Sequence, residues 1–442
     1  MNNKKRSFLF LQGVCSPFFT RLANKLINDG HAVHKINFNA GDSFCWGLKK
    51  SSFFREPLTE LPDFISKVWQ EHGITDQILF GDQRPVHQYA AIHAEHFGIR
   101  THVFEEGYFR PYWVTLEREG VNGHSLLPRD PDWFRDVGQK LPAPKKPTPF
   151  KSPFRISATH DVIYHTAGIV NPAFFHHYKT HAPVNAAIEY AGYTKRFSML
   201  KLWKPIDERS IKQLLDKKPK YYVLPLQLNG DAQIKHHSRF ESMSELIEFV
   251  MSSFAHHAPS DAVLVIKNHP LDMGLVNYQK LIYQLEKQFD IIGRTLYLES
   301  GNLDLLLKHA QGTITINSTV GGLALEHNCP TIALSDPIYN LPGLTFQYEL
   351  ESFWNNASKP DPQLYQYYRN TVMYTTQVNG GFYCDQGINL AINNITEMLD
   401  AEKSPLEKLG LLNKASYTLK LDSLTNKKNV RKSNEMPQIL LN

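Results

Sequence analysis

Three short clusters in this chain combine residue types that can do chemistry together. Glu105-Glu106-Gly107 sets two adjacent carboxylates before a residue that lets the backbone turn sharply. Neighbouring carboxylates repel, which can lift one pKa toward neutrality and suit it to work as a general base or a nucleophile. Arg110 follows and can hold a carboxylate or a phosphate. In Lys267-Asn268-His269-Pro270, the proline restricts the histidine before it. A fixed imidazole can donate to a phosphate while Lys267 adds charge, and that pair would stabilise a departing nucleotide phosphate. Asn317-Ser318-Thr319, followed by Gly321 and Gly322, opens a helix, where free N–H groups and two hydroxyls make an anion site. Each cluster also has a plain alternative: a solvated acidic turn, a structural histidine, an ordinary helix cap.

What joins the clusters is their position. Each follows a short apolar run, ending at Phe104, Ile266 and Ile316 respectively. Such runs alternate with helically spaced segments, as in Ser7–Leu11, Phe18–Asn28 and Ala32–Asn37, with Gly30 as a helix stop. Gln77–Phe80, Val86–Phe97 and Thr101–Phe104 continue the rhythm, which predicts parallel, doubly wound sheets. In such sheets ligands bind beyond the carboxyl ends of the strands, where all three clusters lie.

The rhythm breaks at Pro142, Pro144, Pro147, Pro149 and Pro153, a stiff surface connector. Residues from Asp161 to Lys212 read as helical and rich in aromatics and histidine, completing the first domain or forming a lid. Alternation resumes at Tyr221 and runs to Leu334. The expected division is a Rossmann-like acceptor-side domain over 1–215, with its connector at 142–153, and a second, nucleotide-sugar-binding one over 216–345. Helices over 346–403 would pack back on the first domain, and 404–442 is a polar basic tail. Two such α/β domains facing across a cleft make the GT-B architecture.

Composition narrows the function classes. At 442 residues with 42% hydrophobic content, the chain can fill two cores. A net charge of +5 suits anionic ligands or an anionic membrane face but is too weak, without finger or RNP-like patterns, to indicate nucleic acid. Cys15, Cys45, Cys329 and Cys384 are scattered and read as reduced cytosolic thiols. Lys4-Lys5-Arg6 before Ser7–Leu11 imitates a signal peptide, but the apolar run is short and reads as a buried first strand. No run of about eighteen apolar residues predicts a membrane span.

The order and placement of the clusters resemble bacterial CMP-sugar transferases of GT-B type, which carry an acidic motif ending in glycine, a His-Pro motif and a Ser-Ser/Thr motif. The stretch from Phe104 through Tyr108, Phe109, Pro111, Tyr112 and Trp113 to Arg118, then Gly120–Gly123, is similar to the KpsS/LipB capsule proteins. So are Phe10-Leu11-Gln12-Gly13 and Leu224-Pro225-Leu226-Gln227. The likeness runs from about Phe8 to Asp400 and leaves out the basic tail.

That resemblance implies a β-Kdo transferase using CMP-Kdo on a phosphatidylglycerol-type lipid, starting the oligo-Kdo linker of capsular polysaccharide. It would work peripherally on the cytoplasmic face of the inner membrane, with a capsule biosynthesis and export complex as partner. Glu106, with Glu105, would act on the sugar and His269 on the leaving phosphate. Lys267, Asn268, Pro270, Asn317, Ser318, Thr319 and Gly321 would hold the donor, with Gln12, Gly13, Gly107, Arg110, Arg118, Gln227 and Asp231 as further substrate contacts. Linker-extending relatives often have Glu-Asp-Gly, so Glu106 departs from that pattern. No cofactor or metal is expected: there is no DxD at a strand end. The pairs His176-His177, His236-His237 and His256-His257 have no carboxylate or cysteine at ligand spacing. The tail and Phe109, Tyr112 and Trp113 are candidate membrane contacts, against a solvated tail and a packed aromatic cluster. A CMP-sialic acid transferase, a UDP-sugar epimerase and a non-catalytic export partner are the competing readings.

Overall fold

The computed structural model describes residues 5–180, 186–228 and 238–410. Its first sheet contains β1 (Ser7–Phe10), β2 (Ala32–Asn37), β3 (Ser52–Phe53), β4 (Asp76–Phe80), β5 (Arg100–Glu106) and β6 (Trp113–Arg118). The second contains β7 (Tyr221–Pro225), β8 (Val263–Lys267), β9 (Thr295–Leu298), β10 (Gly312–Thr315) and β11 (Thr331–Ala333). The last strand, β12 (Gln377–Asn379), goes back to the first sheet. The strand orders are β12-β6-β5-β4-β1-β2-β3 and β11-β10-β7-β8-β9.

The second sheet is parallel throughout. Its central strands are buried on both faces, as Tyr221–Pro225 shows residue by residue, because helices cover each side. The first sheet departs from the all-parallel expectation at one edge: β6 runs antiparallel to β5, and β12 antiparallel to β6. The turn from β5 to β6 is tight, with a cis Arg110–Pro111 bond and Tyr112 at a φ of 76°. A crossover helix has no room there, so the strand folds back as a hairpin. Together the two Rossmann-like halves form the GT-B architecture.

Two connections tie the halves. The helix Asp385–Asp400 buries Ile388, Ala391, Ile392 and Ile395 in the core of the first sheet with Phe10, Phe18 and Phe104. The long helix Ala186–Lys217 goes the other way. Its Ile211 and Leu214 pack with Val223, Val265 and Leu306 of the second sheet. The end of this helix, inside the 1–215 expected for the first domain, thus packs on the second core. Residues 142–153 form an irregular, largely exposed connector. A third apolar cluster lies between the halves, where Leu127 and Phe134 meet Ile338, Leu341, Leu364 and Tyr368. The basic tail beyond 410 lies outside the described residues.

Candidate active site

Glu105 and Glu106 are the last two residues of β5, so the strand runs further than its apolar stretch. Glu105 is half-buried and turned toward Gly81, at the end of β4, where only a hydrogen occupies the Cβ position. Burial lifts its pKa to about 7, with Glu106 adding to the rise. A hydrogen bond of 3.0 Å from the backbone N–H of Glu106 and the charge of Arg84 moderate it. Glu106 points differently, and accepts from the Tyr383 hydroxyl at 3.4 Å. Gly107 is obligatory, because a Cβ there would overlap the Trp113 carbonyl. Beyond it the Tyr108 hydroxyl donates to Glu117 at 2.6 Å and accepts from the Asn122 N–H at 2.7 Å, fixing the hairpin loop.

His269 follows β8 in a half-buried loop held on every side. Its N–H donates to Asn268 Oδ1 at 2.8 Å, while Asn268 Nδ2 donates to Glu299 at 3.0 Å. Arg196, from the long helix, donates to Glu299 Oε2 at 2.6 Å and to the His269 carbonyl at 3.4 Å. Burial lowers the imidazole pKa to about 4, helped by the cations Lys267, Arg110 and Arg196. Arg110 belongs to the opposite half of the molecule, so the acidic loop and the His-Pro loop lie within electrostatic reach across the cleft. Lys267 is buried and donates to the Asn268 carbonyl at 3.2 Å, which makes it and Asn268 supports of the loop. Pro270 is exposed.

Ser318 caps the helix Thr319–Glu326, its hydroxyl oxygen accepting from the Val320 N–H at 3.2 Å. Gly321 leaves space for the Tyr339 ring, whose hydroxyl donates to the Ser318 carbonyl at 2.6 Å. Gln227, at the end of β7, donates to Asn317 Oδ1 at 3.1 Å and so joins two strand ends. Asn317, Thr319 and Gly322 share a cleft of about 490 Å³ with Tyr108, Phe109, Asn122 and Gly123 of the first half. That cleft joins the loop after the acidic motif to the Asn317-Ser318-Thr319 cluster, and Arg110 of the same loop is close enough to His269 to lower its pKa.

The other expected contacts make bonds of their own, Gln12 and Gly13 at the same end of the sheet as the carboxylates and Arg118 at the far one. Gln12 is buried and donates to the Tyr164 and Tyr178 hydroxyls at 3.0 and 3.4 Å. Gly13 packs against Phe19, and its carbonyl accepts from Arg84 at 2.8 Å. Arg118 is at the far end of the hairpin, paired with His102 in register and 3.6 Å from Glu407, so it is remote from Glu106. Asp231 and His236-His237 fall outside the described residues. Phe109 carries Arg369 over its ring and Tyr112 packs on Phe150, which makes them parts of a packed aromatic cluster. Among the described residues, no group of three or more His, Cys, Asp or Glu gathers as a metal site. The four cysteines are free.

Arg84, Tyr383, Arg196 and Glu299 were not apparent from sequence. Arg84 was within reach of the strand-end rule, since it follows Gly81 just after β4. Arg196 gives no local signal, because its partners lie some hundred residues away.

Residues 75–383, which hold all three clusters, match the family model described as capsule polysaccharide biosynthesis protein. The chain belongs to this family. Its relatives include the "Capsule polysaccharide modification protein LipB" of Neisseria meningitidis serogroup B, 36% identical over 85% of this chain and 91% of that one. The "Capsule polysaccharide export protein KpsS" of Escherichia coli is 34% identical over 86% of this chain and 97% of that one. Among solved structures, the Thermosulfurimonas dismutans "KpsC, beta Kdo 2,7 transferase" aligns with 82% of this chain and 89% of its own, at 14% identity and a TM-score of 0.40. With the capsule family as context, the cleft is the place to look for its chemistry. No helix among the described residues is long and apolar enough to cross a membrane.

Proposed function

We propose that this capsule-family protein is a retaining β-Kdo glycosyltransferase. It would transfer Kdo from CMP-Kdo to a phosphatidylglycerol-type lipid, initiating the oligo-Kdo linker, without a divalent metal and peripherally on the cytoplasmic membrane face. One observation carries the reading: the loop that follows the carboxylate pair on one sheet shares a cleft with the helix-N-terminal cluster of the other, and its Arg110 acts electrostatically on His269. That is the division of labour sugar transfer from a nucleotide requires.

In this mechanism Glu106 attacks the anomeric carbon. The bond from that carbon to the CMP phosphate breaks, and its electron pair leaves with the phosphate. His269 donates to the departing oxygen, and the Ser318–Thr319 helix start stabilises the anion. The lipid hydroxyl then displaces Glu106, and Glu105, poised near neutrality, takes its proton. Two inversions retain the β configuration.

The test is Kdo transfer from CMP-Kdo generated in situ to a fluorescent phosphatidylglycerol analogue, in EDTA, with Glu106→Gln alongside. Product from the native enzyme, absent with the variant, supports donor, acceptor and carboxylate together. Turnover only with CMP-sialate or a UDP-sugar, or none at all, overturns the Kdo reading in favour of its competitors.

A further inference from the structure

The helices between the two sheets carry an unusual surface. Helix Phe154–Ala167 and the turn after it put Ile169 73% and Phe174 55% exposed, with Val170 beside them. On the long helix, Ile188, Leu202 and Ile206 are also exposed, the last two above 60%. Ile188, Lys195, Leu202, Ile206 and Arg209 recur at spacings that keep them on one helical face, where apolar and basic side chains alternate. The opposite side of the same helix is spent inward, through Arg196, Ile211 and Leu214.

Charge on this surface is sorted. Asp161 and Glu189 are turned to their neighbours, accepting from the Tyr190 and Tyr193 hydroxyls at 3.0 and 3.2 Å. Asp207 is buried and accepts from Ser300 at 2.9 Å. Among the described residues from 154 to 212, Glu208 and, in part, Asp161 expose their carboxylates, while Lys195, Lys201, Lys204, Arg209 and Lys212 are all exposed. The two helices are clasped by the Tyr190–Asp161 bond and by Phe154 against Phe197, ring centres 5.8 Å apart. The layer also borders the cleft: His160 Nε2 lies 3.2 Å from the carbonyl of Tyr383, the residue bonded to Glu106.

We propose that this helical layer is the surface by which the protein docks on an anionic lipid bilayer. On a solvent face that mixes large apolar side chains with lysine and arginine, apolar groups reach the acyl boundary while the long cationic side chains meet the headgroups. The sorting of carboxylates favours an anionic surface over a second copy of this chain, whose own layer would be equally basic. The layer holds the cleft at the membrane, where a lipid-linked substrate would be presented. Docking needs no turnover, so its test stands apart from the transferase reading.

The full chain is sedimented with vesicles of phosphatidylcholine and with vesicles of equal parts phosphatidylcholine and phosphatidylglycerol. We expect pelleting with the anionic vesicles, weakened by salt. Lys195→Glu with Arg209→Glu should lower that partition at least about tenfold. Ile169→Ser with Phe174→Ser should lower it similarly, and circular dichroism reports whether each variant folds. Lys280→Glu with Lys287→Glu, the same charge change on an exposed helix of the second half, should leave it near the native value. Native binding by both layer variants, or an equal loss in the control, overturns the proposal. So does a layer variant that changes oligomeric mass and leaves vesicle binding intact, which would assign the surface to a protein partner.

Discussion

The backbone N–H of Leu271 donates to Nδ1 of His269 at 3.1 Å. A neutral imidazole with Nδ1 accepting carries its proton on Nε2. Burial and three nearby cations keep the ring neutral, with a pKa of about 4. His269 is therefore a hydrogen-bond donor at working pH and not a charged acid. Its titration should leave no limb in the kcat profile between about pH 5 and 8. His269→Ala should cost about 10²–10³ in kcat, the usual loss for one transition-state donor. A limb near pH 6 abolished by this substitution would contradict the assignment.

Glu105 gives the opposite expectation. Its folded pKa of about 7 lies above its ordinary value of 4.5. The folded state thus holds a proton that the unfolded state has released, so stability falls as pH rises through that window. Thermal unfolding of Glu105→Gln should lose less stability than the native protein between those two pH values. The same substitution should remove an inflection near neutrality from kcat/KM. Parallel melting curves across pH would show that Glu105 is not the group that titrates.

Arg196 acts on the site through another residue. It orients Glu299, which holds Asn268, which holds the His269 N–H. Arg196→Ala leaves Glu299 and Asp272 without their buried cation, so a loss of about 3–5 kcal/mol is expected. Arg196→Lys keeps the charge but loses the forked donor. At a temperature where it stays folded, its kcat should fall more than its KM changes. Equal kcat for Lys and Arg at this position would reduce the residue to a stabilising role.

Asp76 is fully buried at the other end of the sheet, 2.7 Å from Arg100 and 2.8 Å from His102. Burial opposes its ionisation, but those partners outweigh it and hold its carboxyl well below the usual range. Asp76→Ala should destabilise by about 3–5 kcal/mol, since it strands the buried His102 and the half-buried Arg100. Chemical denaturation measures this. Because the cluster is remote from the cleft, the activity of the folded fraction should stay near native.

The three clusters were legible because their signal is local: an apolar run ending in polar residues is a strand end whatever surrounds it. The β5–β6 hairpin was not. Trp113–Arg118 has the alternation of a strand, but Pro111 and Tyr112 make the turn, and only the paired structure shows the reversal. The burial of Gln12 under Tyr164 and Tyr178 was hidden for a different reason, since both tyrosines come from a segment with no strand–helix rhythm. Arg118 misled because it neighbours the acidic motif in sequence, while an antiparallel strand carries it to the far end of the sheet.

The return of the chain to its first sheet limits how the molecule can be divided. A fragment stopping after the second sheet would lack β12, leaving β6 as an open edge with unpaired N–H and C=O groups. It would also lack Gln377, whose side chain accepts from the Tyr108 N–H at 3.0 Å, and Tyr383, the partner of Glu106. The acidic loop is thus completed by residues translated some 270 positions after it. During synthesis the first half cannot be finished until nearly the whole chain has emerged. Swapping modules between capsule-family proteins would have to move the amino-terminal sheet and the carboxyl-terminal helix as one inheritance.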